Sequence, residues 1–435
     1  MTLLTHPSRF PKLPLLVCAL LINVSLFAQT AEVVSLGQAQ DILFTEVNPL
    51  HGFGIFTFNT PFYIGNLTNT KSSEFAVAYS FGNTWHPQST VYYPQNLTAQ
   101  QRIVVNSLYV TDRPQYFEDQ GIVTKQKTFA SDGVLQNLSF TYKTHFRGKS
   151  SAVIKLNTYI LSGGSSPLYY FASDRFIEKI HTWVGLEDNF GRKQFPFNQS
   201  KLYYEDENGR NIQIDKPKTF LGTLDLNFYQ MLWQKEKPLS ILTLQAGTHF
   251  IIPLNNYYPK VAGGLSASFF YRQRISTRFY TDLAVDGSVS NNSVASFGDA
   301  PDLIDRKFRL AAKSYMSINL VSKQNRTLTF GLICNYQDSF LKGNIYNDTQ
   351  DNYRDLGIAY LKNGQVWDGT VVSKTPRLSK LTAASMYYFS LKPYFFWGVK
   401  GKKSAMYFTI CEDYPLVNNA PDIQYGIQFT RNLSR

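Results

Sequence analysis

The chain has 435 residues, of which 43% are hydrophobic, 15% aromatic and 17% charged, with a formal net charge of +12. Its 28 Tyr and 33 Phe exclude a disordered chain, and three Cys exclude a disulfide scaffold. No basic motif with interleaved aromatics accompanies the positive charge, so nucleic acid is not an expected partner.

Residues 1–28 read as a signal peptide. Arg9 and Lys12 form a basic start, Leu13 to Phe27 is an apolar run, and Ala28-Gln29 offers a cleavage point. The run is shorter than the ~20 residues a spanning helix needs, and no later run is apolar enough for one. A helical membrane protein is thereby excluded. Export through the signal peptide predicts the bacterial outer membrane as destination. Outer-membrane lipids, lipopolysaccharide and the barrel-assembly machinery are then the expected partners.

Residues 29–72 do not alternate. Their run HGFGIFTFNTPFYIGN mixes Gly, Pro and aromatics, and predicts either a periplasmic lead-in or a hatch inside a barrel. From residue 73 to 435 a period-2 pattern takes over. Phe75, Val77, Tyr79 and Phe81 share one face of the first strand. Leu138, Phe140, Tyr142 and Phe146 oppose Ser139, Thr141, Lys143, His145 and Arg147 in a later one. The predicted strands are 73–84, 101–112, 120–129, 138–147, 151–161, 220–232, 239–252, 264–274, 277–289, 308–320, 327–339, 381–396, 404–412 and 422–432. Most are near the ~9–11 residues of a tilted membrane strand. The pattern predicts an all-β fold, a transmembrane antiparallel β-barrel of about 14 strands, with about 12 if the weak strand at 120–129 is absent.

Connections alternate in length. Segments 162–219, 253–263, 290–307, 340–380 and 413–421 are long; 148–150, 233–238, 275–276, 322–326 and 397–403 are short. Long external loops and short periplasmic turns produce this parity. The short turns carry Lys149, Lys235, Lys237, Lys323, Arg326, Lys400, Lys402 and Lys403. The long loops carry three acidic clusters: Glu205, Asp206 and Glu207; Asp299, Asp302 and Asp305; Asp348, Asp351 and Asp355. Solvated loops account for these clusters, and a bridging Ca2+ is the sharper alternative. Lys143, Arg147, Lys155, Asp225, Arg272, Asp282, Asp286, Arg309 and Lys313 fall on the inward face, a lumen of mixed sign. Cys334 falls on the apolar face and Cys411 on the opposite one, so no disulfide between them is expected.

One stretch breaks the pattern. In 173–196, Phe176, Ile177, Ile180, Trp183 and Val184 recur at helical spacing behind Ser173, a potential N-cap, with Gly185 as a stop. This predicts one short helix in the longest external loop. An apolar stripe on that helix would pack on the inner wall. Asp174, Arg175, Glu178, His181, Asp188, Gly191 and Arg192 would then set a constriction at the barrel mouth.

Catalytic signals are weak. Ser173, Asp174 and His181 carry triad letters, but on a helix Asp174 and His181 stand about ~10 Å apart. There is no Gly-x-Ser-x-Gly elbow, no metal-ligand spacing and no glycine-rich phosphate loop after a strand, so no cofactor is expected.

The run Ser173, Asp174, Phe176, Ile177, His181, Gly185, Gly191, Arg192 and Pro196 resembles the central signature of a bacterial domain-of-unknown-function family, whose members are outer-membrane barrels with a signal peptide. The resemblance implies the barrel and brings no activity. The chain is also similar in size and strand number to long-chain fatty-acid channels with an N-terminal hatch, where Asn48-Pro49 is the one echo of the hatch motif. The expected role is a channel or transporter for a small or hydrophobic solute. The alternatives are a barrel-embedded lipid-modifying enzyme and a structural or surface-interaction barrel with a closed lumen.

Overall fold

The period-2 stretches pair with their sequence neighbours as antiparallel strands, and the first also pairs with the last. A computed structural model describes residues 54–56, 73–108, 112–146, 149–163, 167–183, 197, 199–322, 326–338, 346–349, 388–401, 403–412, 414–415 and 423–433. The wall runs through β1 (Ser73–Pro94), β2 (Thr124–Phe146), β3 (Ser150–Ser162), β6 (Lys218–Lys237), β7 (Ser240–Pro253), β8 (Lys260–Arg274), β9 (Phe279–Ser296), β10 (Phe308–Val321), β11 (Arg326–Gln337), β13 (Tyr388–Lys400), β14 (Ser404–Glu412) and β16 (Ile423–Asn432). β1 pairs with β2 on one side and with β16 on the other, which closes a barrel of 12 strands.

The smaller of the two expected counts, 12, is therefore the strand count, and two local features account for the difference from 14. Of the segment 101–112, residues 101–107 form helix and not strand. Thr98 and Gln101 form a reciprocal capping box that starts helix α1 (Ala99–Ser107), overriding the β-branched run Ile103-Val104-Val105. Segments 120–129 and 138–147 are expected as two strands, but residues 124–129 and 138–146 belong to one. β2 continues through Gly133, whose φ of +136 and close approach to the Ser162 and Gln199 carbonyls exclude a Cβ. A further short helix, α2 (Arg113–Asp119), follows α1. Leu97, Val105 and Phe117 pack together there beside Tyr92. The helix expected in the loop between β3 and β6 is present as α3 (Asp174–Trp183).

Alternation along each strand separates two surfaces of opposite character. Outward positions such as Phe228, Leu283, Val285, Met316, Phe330, Ile427 and Phe429 are exposed. Inward positions such as Lys143, Arg272, Asp286, Asn319, Lys392 and Gln424 are buried. This inverts a water-soluble fold. Cys334 lies in the outward register and Cys411 in the inward one, and no disulfide joins them.

β1 and β2 are longer than their neighbours and project beyond the wall at the end of the long loops. The hairpin of β4 (Lys201–Glu205) and β5 (Asn211–Ile214) pairs with β2 there, and β12 (Tyr346–Thr349) pairs with β1. The result is a leaf in the order β12-β1-β2-β4-β5, standing over the barrel mouth. One remaining short strand, β15 (Tyr414–Pro415), pairs with β13.

Candidate functional site

At the short-turn end, strand register aligns a polar row across the inner wall. Arg272 lies opposite Asp282, Asp282 opposite Ser317, and Asn319 opposite Thr329. Arg272 binds Asp282 through two bonds, Nε to Oδ1 at 2.6 Å and Nη2 to Oδ2 at 2.8 Å, and both side chains have 0% exposure. Asn319 donates to Asp282 at 2.9 Å and accepts from Thr329 at 2.7 Å. A charge removed this far from water is tolerated only when paired and hydrogen-bonded, and the fork of Arg272 supplies both. Aromatic rings fill the space beside the row. The Arg272 guanidinium lies 5.4 Å from the Phe270 ring centroid, and Tyr315 stacks on Tyr394 at 5.6 Å. Elsewhere on the wall, Ser268 donates to Asp286 at 2.6 Å, and Asn157 donates to Asp225 at 2.9 Å.

The mouth is built differently. Val91, Phe129, Leu135, Tyr204, Ile212 and Ile214 of the wall and leaf bury themselves against Tyr258, Ala300 and Leu303 from the loops after β7 and β9. Ile55 and Phe56, from a 3-10 turn far ahead of β1, enter the same core at 2% and 5% exposure. Phe56 stacks on inward-facing Phe220 at 6.1 Å and tilts over Tyr257 at 6.0 Å. Three residues of the N-terminal segment thus lie within the mouth, while β1 begins at the short-turn end. The other residues of 29–72 lie outside those described.

Ion pairs fasten the leaf to the loop after β9. Arg210 binds Asp206 at 2.7 Å within the hairpin, and reaches Asp299 at 3.1 Å and Asp302 at 2.8 Å in the loop. Lys260 joins Asp302 at 2.6 Å, and Lys127 of β2 pairs with Asp305. Tyr204 donates to the Asp302 carbonyl at 2.6 Å. Burial raises the Asp206 carboxyl, but backbone N–H donors of Asp302, Asn208 and Arg210 and the Arg210 side chain outweigh it, so its pKa falls below the ordinary value. Asp302 behaves alike: burial raises it, and Lys260 and Arg210 bring it below the ordinary value.

This arrangement pairs the carboxylates of two acidic clusters with basic side chains. Asp206, Asp299, Asp302 and Asp305 face Arg210, Lys260 and Lys127; Glu207 pairs with Lys125 at 2.6 Å; and Glu205 accepts from Tyr203. No group of three or more His, Cys, Asp or Glu side chains placed to hold a metal occurs among the described residues. Of the third cluster, Asp348 lies on β12, while Asp351 and Asp355 lie outside the described residues.

Of the stretch expected to constrict the mouth, residues 173–183 are described and lie away from it. Ser173 caps α3 as expected, accepting from the Phe176 N–H at 3.4 Å. The segment 167–183 then lies on the outside of the wall. Tyr169 meets Phe81 at 6.3 Å between centroids, and Phe171 meets Tyr425 at 6.5 Å. Asn83 donates to Asp174 at 2.8 Å. Phe81, Asn83 and Tyr425 share the outward register with exposed Phe75, Ile427 and Phe429. The helix is also turned over relative to expectation. Asp174, Ile177 and Glu178 are buried, Phe176 and Ile180 are half-buried, and Arg175, Lys179 and Trp183 are exposed. Among the described residues of the apolar stripe, Ile177 alone is buried. His181 lies on α3, and Val184, Gly185, Asp188, Gly191 and Arg192 lie outside the described residues. The apolar stripe assigns a helix its greasy face, but cannot say whether that face meets protein or lipid.

Sequence reasoning missed the basic half of the clasp and the two core residues of the N-terminal segment. Arg210, four residues after Asp206 across the turn Asp206-Glu207-Asn208-Gly209, was the available signal for the first; the apolar run Ile55-Phe56 was that for the second.

No protein-family model matches the chain, and no curated protein matches it in sequence. Solved structures similar to it are bacterial outer-membrane barrels. An outer-membrane channel from Pseudomonas putida F1 is 9% identical with a TM-score of 0.38, over 89% of this chain and 100% of that one. The toluene transporter TodX of P. putida is 7% identical with a TM-score of 0.29, over 84% and 91%. A FadL homologue of Pseudomonas aeruginosa is 9% identical with a TM-score of 0.29, over 93% and 99%. At such scores no property of those proteins transfers to this chain.

Proposed function

We propose that the protein is an outer-membrane channel for a small solute, held shut at its mouth by the leaf, the loop after β9 and the residues Ile55 and Phe56. The observation that carries this reading is the inverted polarity of the wall: large apolar side chains outside and ionised, hydrogen-bonded side chains inside. Each large apolar side chain left in water would forgo about 1.5–3 kcal/mol of burial, so the outer face calls for lipid. The charged lining of mixed sign suits a polar solute better than a wholly apolar one, because a buried charge without a partner is costly. Lipopolysaccharide and the other outer-membrane lipids would surround the barrel, and the barrel-assembly machinery would insert it.

Planar-bilayer recording of the purified full chain tests this. Wild type should open rarely, and Arg210→Ala and Phe56→Ala should each raise open probability several-fold, because each loosens the mouth and alters no residue of the wall strands. Silent membranes for wild type and both variants, with insertion verified by protease protection of the barrel, would make this a barrel with a closed lumen.

A further inference from the structure

The segment of 167–183 on the outer wall has no role in a channel. Its helix presents three sectors. Asp174, Ile177 and Glu178, at helical spacings of three and four, face the wall and are buried. Phe176, Ile180 and Trp183 occupy the sector directed away from the wall, and Trp183 is 85% exposed. Arg175, Lys179 and Thr182 lie on the flank between the two, all exposed. Ahead of the helix, Tyr170 and Phe171 are exposed and hold Phe176 between them, edge-on, at centroid distances of 5.4 and 5.2 Å. In water this burial pattern is upside down, since acids are enclosed and aromatics are left outside. It has the same sense as the wall beneath it, where Phe75, Ile427 and Phe429 point outward and Gln136 is buried under Tyr79 with a 2.9 Å bond.

We propose that 167–183 is an in-plane lipid-binding element: a short amphipathic helix clamped to the outer wall, which enters the interfacial layer of the bilayer alongside β1 and β16. Its occupant is a lipid surface. The aromatic sector continues the lipid-facing surface of the barrel without a break, through Phe171 and Tyr425. The basic flank supplies the cationic edge that helices of this kind turn toward anionic headgroups. Asn83 and Asp174 fix the rotation of the helix about its axis, so that the aromatics cannot turn inward. The inference rests on the reading of the barrel as bilayer-spanning.

Site-directed spin labelling of the full chain in vesicles of equal parts phosphatidylcholine and phosphatidylglycerol distinguishes the two. With Cys18, Cys334 and Cys411 replaced, single labels are placed by Trp183→Cys, Thr182→Cys, Phe429→Cys and Asn208→Cys. Accessibility to oxygen marks lipid, and accessibility to a water-soluble nickel chelate marks solvent. The label at 183 should match the one at 429, with an oxygen-to-nickel ratio several-fold above that at 208, and the label at 182 should fall between. A label at 183 as aqueous as that at 208, beside a lipid-immersed 429, overturns the lipid-binding element and leaves the barrel standing. An aqueous 429 overturns the bilayer-spanning reading and the element with it.

Discussion

The mouth and the short-turn end of the same barrel obey opposite rules. At the mouth, Phe129, Tyr204, Ile212 and Leu303 form an apolar core, and Arg210 pairs with carboxylates that are partly exposed. At the short-turn end, Arg272 and Asp282 are fully enclosed, while Leu283 and Val285 on the other face of β9 are exposed. One chain changes the sense of its burial along the length of β1 and β2. The difference teaches where the surrounding medium changes: the mouth folds as proteins do in water, and the wall folds as they do in lipid. A close charge pair accordingly means two things. In the mouth it is a fastening that water can compete for; in the wall it is one of the ways, beside bonds from neutral donors, in which a charge is kept.

That contrast is broken most severely at Arg272. Replacing it by Ala leaves the enclosed Asp282 without its ionic partner and with Asn319 as its one side-chain donor among the described residues, and the cost should be about 3–5 kcal/mol. A double replacement, Arg272→Met with Asp282→Leu, should recover most of the loss because no charge is left behind. Urea unfolding of the barrel refolded in vesicles measures both. A single variant as stable as wild type would mean that water reaches this row.

In the mouth, truncating a core side chain should act locally. Ile212→Ala should weaken the seating of the β4–β5 hairpin by about 2–5 kcal/mol, as for other buried aliphatic truncations. Limited proteolysis should then cut between Glu205 and Asn211 while the barrel keeps its urea midpoint. Loss of both together would show that leaf and wall fold as one unit.

The division between what the sequence disclosed and what it hid follows the same line. The inward row Lys143, Asp225, Arg272, Asp282, Asp286 and Arg309 was legible, because a strand has a period of two and lipid leaves no choice of face. The mouth was not. Arg210 and Asp299 are far apart in sequence, and ion pairs across such a separation leave no local pattern. Of the two expected strand counts, 12 holds and 14 fails, because a glycine carries β2 onward and a capping box outweighs β propensity. The helix at 174–183 was legible as a helix, but its rotation was not, since the amphipathic pattern is identical whether lipid or protein receives the apolar side.

Acid sharpens the comparison further. Asp206 and Asp302 have pKa values below their ordinary 3.8 in the folded protein, so their contribution to the clasp is complete above that value. It is lost as the pH falls through the depressed folded values. Protease access to the hairpin should therefore rise below about pH 4 and reverse on neutralisation. Arg210→Ala should show the high access already at neutral pH and respond much less to acid. A wild-type mouth that stays closed at pH 2 would mean that the apolar core alone holds it.

The smallest effect tests the wall's packing on its inner side against its outer side. A Cβ built on Gly331 would stand 2.4 Å from the Tyr394 ring, which lies flat across it on the neighbouring strand and stacks on Tyr315. Gly331→Ala must push that ring off the wall, and such overpacking costs about 1–3 kcal/mol. Gly287 is directed outward, and a Cβ there meets nothing within 4 Å. Gly287→Ala should be neutral or stabilising by a few tenths of a kcal/mol, through better strand propensity and one more methyl in lipid. The two substitutions are chemically identical and differ only in the side of the wall they enter. Urea midpoints that fall for Gly331→Ala and hold for Gly287→Ala would place the close-packed surface inside and the fluid one outside. If Gly287→Ala is the more damaging, a solid neighbour covers the outer face at that point, and lipid does not.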